Sequence, residues 1–474
     1  MLALTACLVA TSASAGDRRS AIFRPVRDSS GSVETATADR SLDASNRFFD
    51  PALGTNEQTC ATCHEPGQGF SISVPFVQHA FDASDGMDPL FRANDTADRP
   101  DADLSTPEGR RAAFGLFLQL GVVRIGKTLP AQADFTVEAQ NTPRFGPLPN
   151  PNDPQAPPGS STLSLFRRPL VNTNVHFDTA VLWDGRASID DMRGQVKSAA
   201  RTLLLAGGPT AGALGDVSDA DADNVAAFML GVFTDQVVDA DAGKLDARGA
   251  TGGVDALTRL ASDPAAPCTP LAPPTCTPVV PGSQPTMTLF DAWANVPDHG
   301  RNGVNGGSRA TRSRAAVVRG QALFNRLACR GCHATNNLGN NPVETFFRKL
   351  DLDSIEILAD FASEDPRIEP LLDRVRMLPE YCLRPASSTS TSPCGSDPGD
   401  VKTTDPGRAL VTGNLLDVGK FKPPILRDLA VRAPFFHNGA AETLDDVVNF
   451  YNAKFDLHLT DQEHGDLVAF LRAL

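Results

Sequence analysis

Apolar positions along this chain recur mostly at helical spacing, in short runs set between long polar stretches. Residues 109–120 (GRRAAFGLFLQL) and 189–205 both follow the three-to-four-residue rhythm of an amphipathic helix. Ser218 stands where an N-cap belongs, ahead of Ala226, Phe228, Met229 and Val232. Residues 315–327 form another amphipathic run. Two more helices are predicted near the end, each opened by a capping box: Thr443 with Asp446, and Thr460 with Glu463. Strict alternation of apolar and polar residues is sparse. The pattern therefore predicts a mainly α fold with long irregular loops.

The loops have recognisable chemistry. Residues 150–160 and 263–285 are rich in proline, and 387–396 is a low-complexity Ser/Thr stretch. A chain of 474 residues exceeds one compact core. The run GRNGVNGG at 300–307 reads as a linker. The expected plan is a signal peptide at 1–15, an extended polar segment at 16–44, one domain at 45–299, a linker at 300–312 and a second domain at 313–474.

At the N-terminus, residues 2–11 are apolar and Ala13-Ser14-Ala15 is a small-residue cleavage pattern. Leu4-Thr5-Ala6-Cys7 offers a lipoprotein signal as the alternative, with Cys7 lipidated. Cleavage after Ala15 is preferred, because a lipobox leaves almost no hydrophobic region before it. Both readings export the chain, and the periplasm is the expected compartment. No other segment offers the roughly 20 apolar residues of a transmembrane helix. The formal charge of −14 argues against nucleic acid as a partner. It fits a basic redox partner weakly; a solvated acidic surface is the plainer reading.

Two pentapeptides carry the chemistry: Cys60-Ala61-Thr62-Cys63-His64 and Cys329-Arg330-Gly331-Cys332-His333. C-x-x-C-H is the attachment pattern of a c-type haem. The thiols join the porphyrin covalently and the following His gives the iron its proximal nitrogen. A zinc knuckle would need two further soft ligands close by, and neither motif has them. A redox dithiol would follow a strand in a βαβ unit, which neither segment resembles. Two covalent haems, ligated by His64 and His333, follow as the expectation, with one haem domain around each. Of the nine cysteines, Cys7 lies in the signal and four serve the haems. Cys268 with Cys276 and Cys382 with Cys394 remain as two local pairs, read as loop disulfides in an oxidising compartment.

Further runs carry a family likeness. They are Phe48-Phe49-Asp50-Pro51-Ala52-Leu53, Leu182-Trp183-Asp184-Gly185-Arg186-Ala187, Phe421-Lys422-Pro423-Pro424-Ile425-Leu426-Arg427 and Ala433-Pro434-Phe435-Phe436-His437-Asn438-Gly439. From about residue 45 to its end the chain resembles the di-haem cytochrome c peroxidase/MauG family. The resemblance implies two cytochrome c domains face to face, a reactive N-terminal haem and an electron-transferring C-terminal one. It implies that Trp183 lies between the haems and that Arg186 binds a haem propionate or a carboxylate. Counted from His437, the distal ligand of the second haem falls on Tyr451, a MauG-like choice where the peroxidases carry Met. A tyrosinate stabilises ferric iron and lowers its potential. A core tyrosine is the bland alternative for Tyr451, and His458 the competing ligand. His79 matches a distal His of some family members, but reads better as a solvated side chain.

One departure bears on activity. Where the family places its peroxidatic Glu, this chain reads Arg201-Thr202-Leu203-Leu204-Leu205-Ala206, without an acid. Gln195 is the candidate for the family's nearby Gln. An apolar distal pocket suits dioxygen or a hydrophobic substrate, as in the similar rubber-oxygenase branch. The run Leu163-Ser164-Leu165-Phe166-Arg167-Arg168-Pro169-Leu170 also looks more like that branch. The family commonly holds a calcium ion between its domains, and the resemblance points to the Asn94 side chain with the backbone carbonyls of Arg432 and Pro434. Hard oxygen donors suit that ion. The expected partners are hydrogen peroxide or dioxygen and a small donor protein such as a cytochrome c or cupredoxin. Oxidative cleavage of an apolar substrate and pure electron transfer are the competing functions.

Overall fold

The computed structural model describes residues 25–37, 45–54, 56–99, 101–140, 162–204, 217–262, 287–294, 308–327, 329–333, 337–339 and 347–474. The signal peptide with Cys7, the loop at 150–160, the Cys268–Cys276 pair and most of the proposed linker lie outside them.

Helices form the largest share, and most open where a side chain satisfies the first free N–H groups. Ser218 Oγ accepts from Asp221 N–H at the start of Asp219–Gly231. Ser308 does the same for Arg309–Arg326, which begins earlier than the apolar pattern suggested. Both C-terminal capping boxes form, on Leu444–Phe455 and Asp461–Arg472. The run at 109–120 divides into Pro107–Ala113 and Gly115–Leu120, broken at Phe114. The run at 189–205 begins as a 3₁₀ turn, continues as Met192–Ala199 and ends in a π-helical turn, Ala200–Leu204.

The mainly α expectation holds only in part. Five small antiparallel sheets accompany the helices among the described residues. The largest places Gly31–Thr37, inside the expected extended segment, against Val232–Asp239. Val123–Thr128 pairs with Thr162–Arg167, and Tyr381–Pro385 lies between Phe135–Gln140 and Val401–Thr403. Val232–Asp239 escapes a period-two search because both of its faces are covered. In Val232–Asp239 the first five residues are all buried. Cys382 and Cys394 form their disulfide.

The side chains bury in several adjoining cores. One gathers Phe48, Phe49, Phe70 and Phe228 around the first pentapeptide. Another joins Phe324, Phe470 and Leu471 beside Cys329. Phe290 and Trp293 precede the proposed linker but pack into this second core, with Phe290 6.2 Å from Phe470. The longest helical contact crosses Arg309–Arg326 with Asp461–Arg472. Gly320 permits it, since a Cβ there would lie 1.9 Å from the Asp466 carbonyl oxygen.

Candidate functional site

The first pentapeptide is a single helical turn, Cys60–Cys63, ending at His64. The chain then turns back so that Glu65 and Ser71 pair. This turn brings the Phe70 carbonyl 3.1 Å from His64 Nδ1. A carbonyl only accepts, so Nδ1 carries the proton and Nε2 keeps its lone pair. The second pentapeptide repeats the device, with His333 Nδ1 2.7 Å from the Leu338 carbonyl. Burial lowers the pKa of both imidazoles to about 4 and keeps them neutral. Cys60, Cys63, Cys329 and Cys332 are in no disulfide. Burial raises the Cys60 thiol to about 12 and the Cys329 thiol to about 11.

A cavity opens beside the first motif. Cys60, Cys63 and His64 line it together with Trp183, Arg186 and Gln195. Its atom-free space, mouth included, is about 1450 Å³. One wall is Val196, Ala199, Ala200, Leu203 and Leu204, from the helix and its π turn. π turns often mark functional positions in a helix. The free thiols, the neutral imidazole protonated at Nδ1 and the largely apolar walls fit the covalent haem implied by the sequence. Cys60, Cys63 and His64 would hold it here, and Cys329, Cys332 and His333 the second one.

The segment 421–427 runs between the two motifs. Lys422 and Ile425 line the first cavity, while the Pro424 backbone acts on His333. Lys422 Nζ is buried and 2.8 Å from Asp178. Asn337 Nδ2 reaches across to the Asn174 carbonyl at 2.7 Å and to Asp178 at 3.0 Å. Trp183 is held at both ends of its peptide unit and ring. Its indole N–H donates to the Arg168 carbonyl, and its own carbonyl accepts from Lys422 N–H, both at 2.8 Å. Its ring lies 6.2 Å from that of His437, which stacks on Phe421 at 3.9 Å.

The turn carrying Trp183 is fixed by buried charge. Arg167 donates to both oxygens of Asp405 at 2.6 and 2.8 Å and to Asp184 at 2.7 Å. Asp184 also accepts from Arg186 at 2.6 Å. Burial alone would raise the Asp184 carboxyl, but Arg186 and Arg167 hold it well below its ordinary value. Arg408 caps the carbonyls of Asp184 and Gly185. Arg186 therefore meets a carboxylate of its own turn at the cavity wall.

Tyr451 projects from Leu444–Phe455, close enough to Cys329 and Cys332 for their sulfurs to act on its hydroxyl. Burial, with those sulfurs adding to it, pushes that hydroxyl above its ordinary pKa. Its ring stacks on Phe455. His458 faces solvent instead, 81% exposed and 3.2 Å from Asp456. His79 is exposed on Val74–Ser84.

Two of the residues expected to hold calcium have backbone partners of their own. The Arg432 carbonyl accepts from Arg168 Nη2 at 3.1 Å, and the backbone carbonyl of Asn94, not the side chain expected to serve as ligand, accepts from Arg124. Pro434, two positions after Arg432, is buried. Arg168 itself was visible in the sequence only as part of an Arg-Arg pair. Asn337, Asp178 and Asp405 carried no local signal at all, since their partners lie more than a hundred residues away.

No protein-family model matches the chain. It is similar to the cytochrome-c peroxidase IdrP1 of Denitromonas iodatirespirans, 34% identical over 206 residues, which cover 40% of this chain and 46% of the relative. It is 36% identical over 78 residues to the cytochrome c551 peroxidase of Nitrosomonas europaea, covering 16% and 23% of the two chains. Against the cytochrome c peroxidase Ccp of Escherichia coli K12 it is 36% identical over 77 residues, 16% and 17% of the two. The match spans less than half the length of these relatives. These similarities support a place for the chain near the bacterial cytochrome c peroxidases.

Proposed function

We propose that this protein is an exported di-haem c-type cytochrome of peroxidase/MauG type, coupling an electron-transfer haem to a reactive one. The observation that carries this reading is the pair of buried imidazoles. Each is locked by a backbone carbonyl into the tautomer that offers Nε2. Cys60, Cys63 and His64 would hold the reactive haem; Cys329, Cys332 and His333 would hold the other, and Tyr451 lies near those second thiols. Bound haem supplies the one-electron redox chemistry and the site where peroxide is reduced.

The protein's own residues shape the rest. Trp183, fastened to Arg168 and Lys422, gives an oxidisable ring between the two sites. Gln195 brings an amide to the first cavity, whose other wall is apolar. A donor protein delivers two electrons, and with two protons these convert hydrogen peroxide to two waters.

The wall of Val196, Ala199, Leu203 and Leu204 favours a second reading. With no acid at the position of the family's Glu, dioxygen attack on an apolar substrate becomes the competing reaction. Intact mass and a pyridine haemochrome assay test the foundation; two added porphyrins are expected. A Cys60→Ser/Cys63→Ser protein should keep one. EPR of the resting protein should then give a high-spin ferric signal, whereas two low-spin signals would mean a pure electron relay. Peroxide consumption that depends on reduced cytochrome c supports the peroxidase reading; oxygen uptake with an apolar substrate supports the other.

A further inference from the structure

Arg168 is 4% exposed and no carboxylate is bonded to its guanidinium. Its Nη1 donates to the Gly121 carbonyl at 2.7 Å, and its Nη2 to the carbonyls of Ile72 and Arg432. Three distant segments thus converge on one cation through their backbone oxygens. Its own N–H adds a bond of 2.6 Å to the His437 carbonyl.

The surroundings are built for this side chain. Gly121 has φ +62°, and a Cβ there would lie 1.9 Å from Arg168 Nη1. Only glycine leaves room for the guanidinium and adopts this backbone at little cost. Arg374 makes a parallel bridge close by, from the Gln119 carbonyl at 2.8 Å to the Gly439 carbonyl at 3.0 Å. Residues 119–121 are therefore joined to residues 432–439 by two guanidinium groups.

A ring of carbonyl oxygens around one positive charge is also how a protein holds calcium. Calcium is strongly hydrated and needs six to eight oxygens. At this junction the Arg432 carbonyl already accepts from Arg168, and the charges of Arg432 and Arg374 also act on that guanidinium. Like charges this close repel strongly inside a protein. We propose that the Arg168 guanidinium is the resident cation of this junction, doing covalently what calcium does elsewhere in the superfamily, and that this protein needs no metal there.

The test uses the haem-loaded full chain. Desalted protein is assayed for calcium by mass spectrometry and melted with and without EGTA. No stoichiometric calcium and an unchanged midpoint are expected. Arg168→Lys keeps the charge but loses the planar fork that reaches three carbonyls. Its midpoint should fall by about 2 °C or more, again without response to EGTA. Stoichiometric calcium in the wild type, with a midpoint that drops on chelation, would overturn the proposal. So would an Arg168→Lys protein as stable as the parent. Neither result depends on which substrate the haem site turns over.

Discussion

Replacing Arg167 by methionine removes the hub of the charge network under Trp183. The guanidinium is 1% exposed and makes three charge-assisted hydrogen bonds, two to Asp405 and one to Asp184. At roughly 1.5–3 kcal/mol each, those bonds sum to about 5–9 kcal/mol before desolvation. Burying the ion costs several kcal/mol of that sum. Removing one member also strands its partners: Asp405 and Asp184 are 3% and 0% exposed. The net loss expected for Arg167→Met is therefore about 3–5 kcal/mol, the usual cost of breaking a buried pair from one side. Unfolding entropy of about 2.1 cal/mol/K per residue gives about 1 kcal/mol per degree for a chain of this size. The midpoint should fall by about 3–5 °C in calorimetry at neutral pH. Asp184 then adds a pH signature. Its folded pKa is depressed, so its stabilising contribution is present above its unfolded value and is lost as pH falls through the acid range. The wild-type advantage over Arg167→Met should shrink below about pH 4. A midpoint within about 1 °C of wild type, with no narrowing in acid, would refute the account of this network.

Trp183→Phe removes the donor to the Arg168 carbonyl and should cost about 1 kcal/mol of stability, while electron transfer between the haems slows and haem content stays unchanged; an unaltered transfer rate in rapid-mixing spectroscopy would remove Trp183 from the path. Tyr451→Met should shift the potential of the C-terminal haem upward, because a thioether replaces an anionic oxygen; an unshifted redox titration would mean that Tyr451 is a core residue only. Asp353 is buried and its pKa is raised to about 6 by burial, despite the Thr403 hydroxyl that bonds it. The folded state then holds the extra proton, so this stability is full below the unfolded value near 4 and declines as pH rises to about 6. Asp353→Asn should flatten that slope, worth up to about 3 kcal/mol; denaturant titrations at pH 4 and pH 7 that decline as in wild type would count against it.

Local chemistry was legible because it is written in adjacent residues. The pentapeptides, the helix caps at Ser218, Thr443 and Thr460, and the Cys382–Cys394 loop each need only a few neighbouring positions. Val232–Asp239 was missed because a strand covered on both faces shows no alternation. The π turn at Ala200–Leu204 was read as plain helix, since its apolar spacing differs from an α turn by a single residue.

The sequence by itself determined which atoms can take a covalent porphyrin: four thiols and two imidazoles at a spacing that serves little else. It also determined that residues 201–206 carry no acid. Only the tertiary structure decided which nitrogen each imidazole offers, because the Phe70 and Leu338 carbonyls reach it through a turn of the backbone. It alone decided that Arg168 faces three carbonyls and that Arg167 meets Asp405, since charge pairing depends on distance in space and not along the chain.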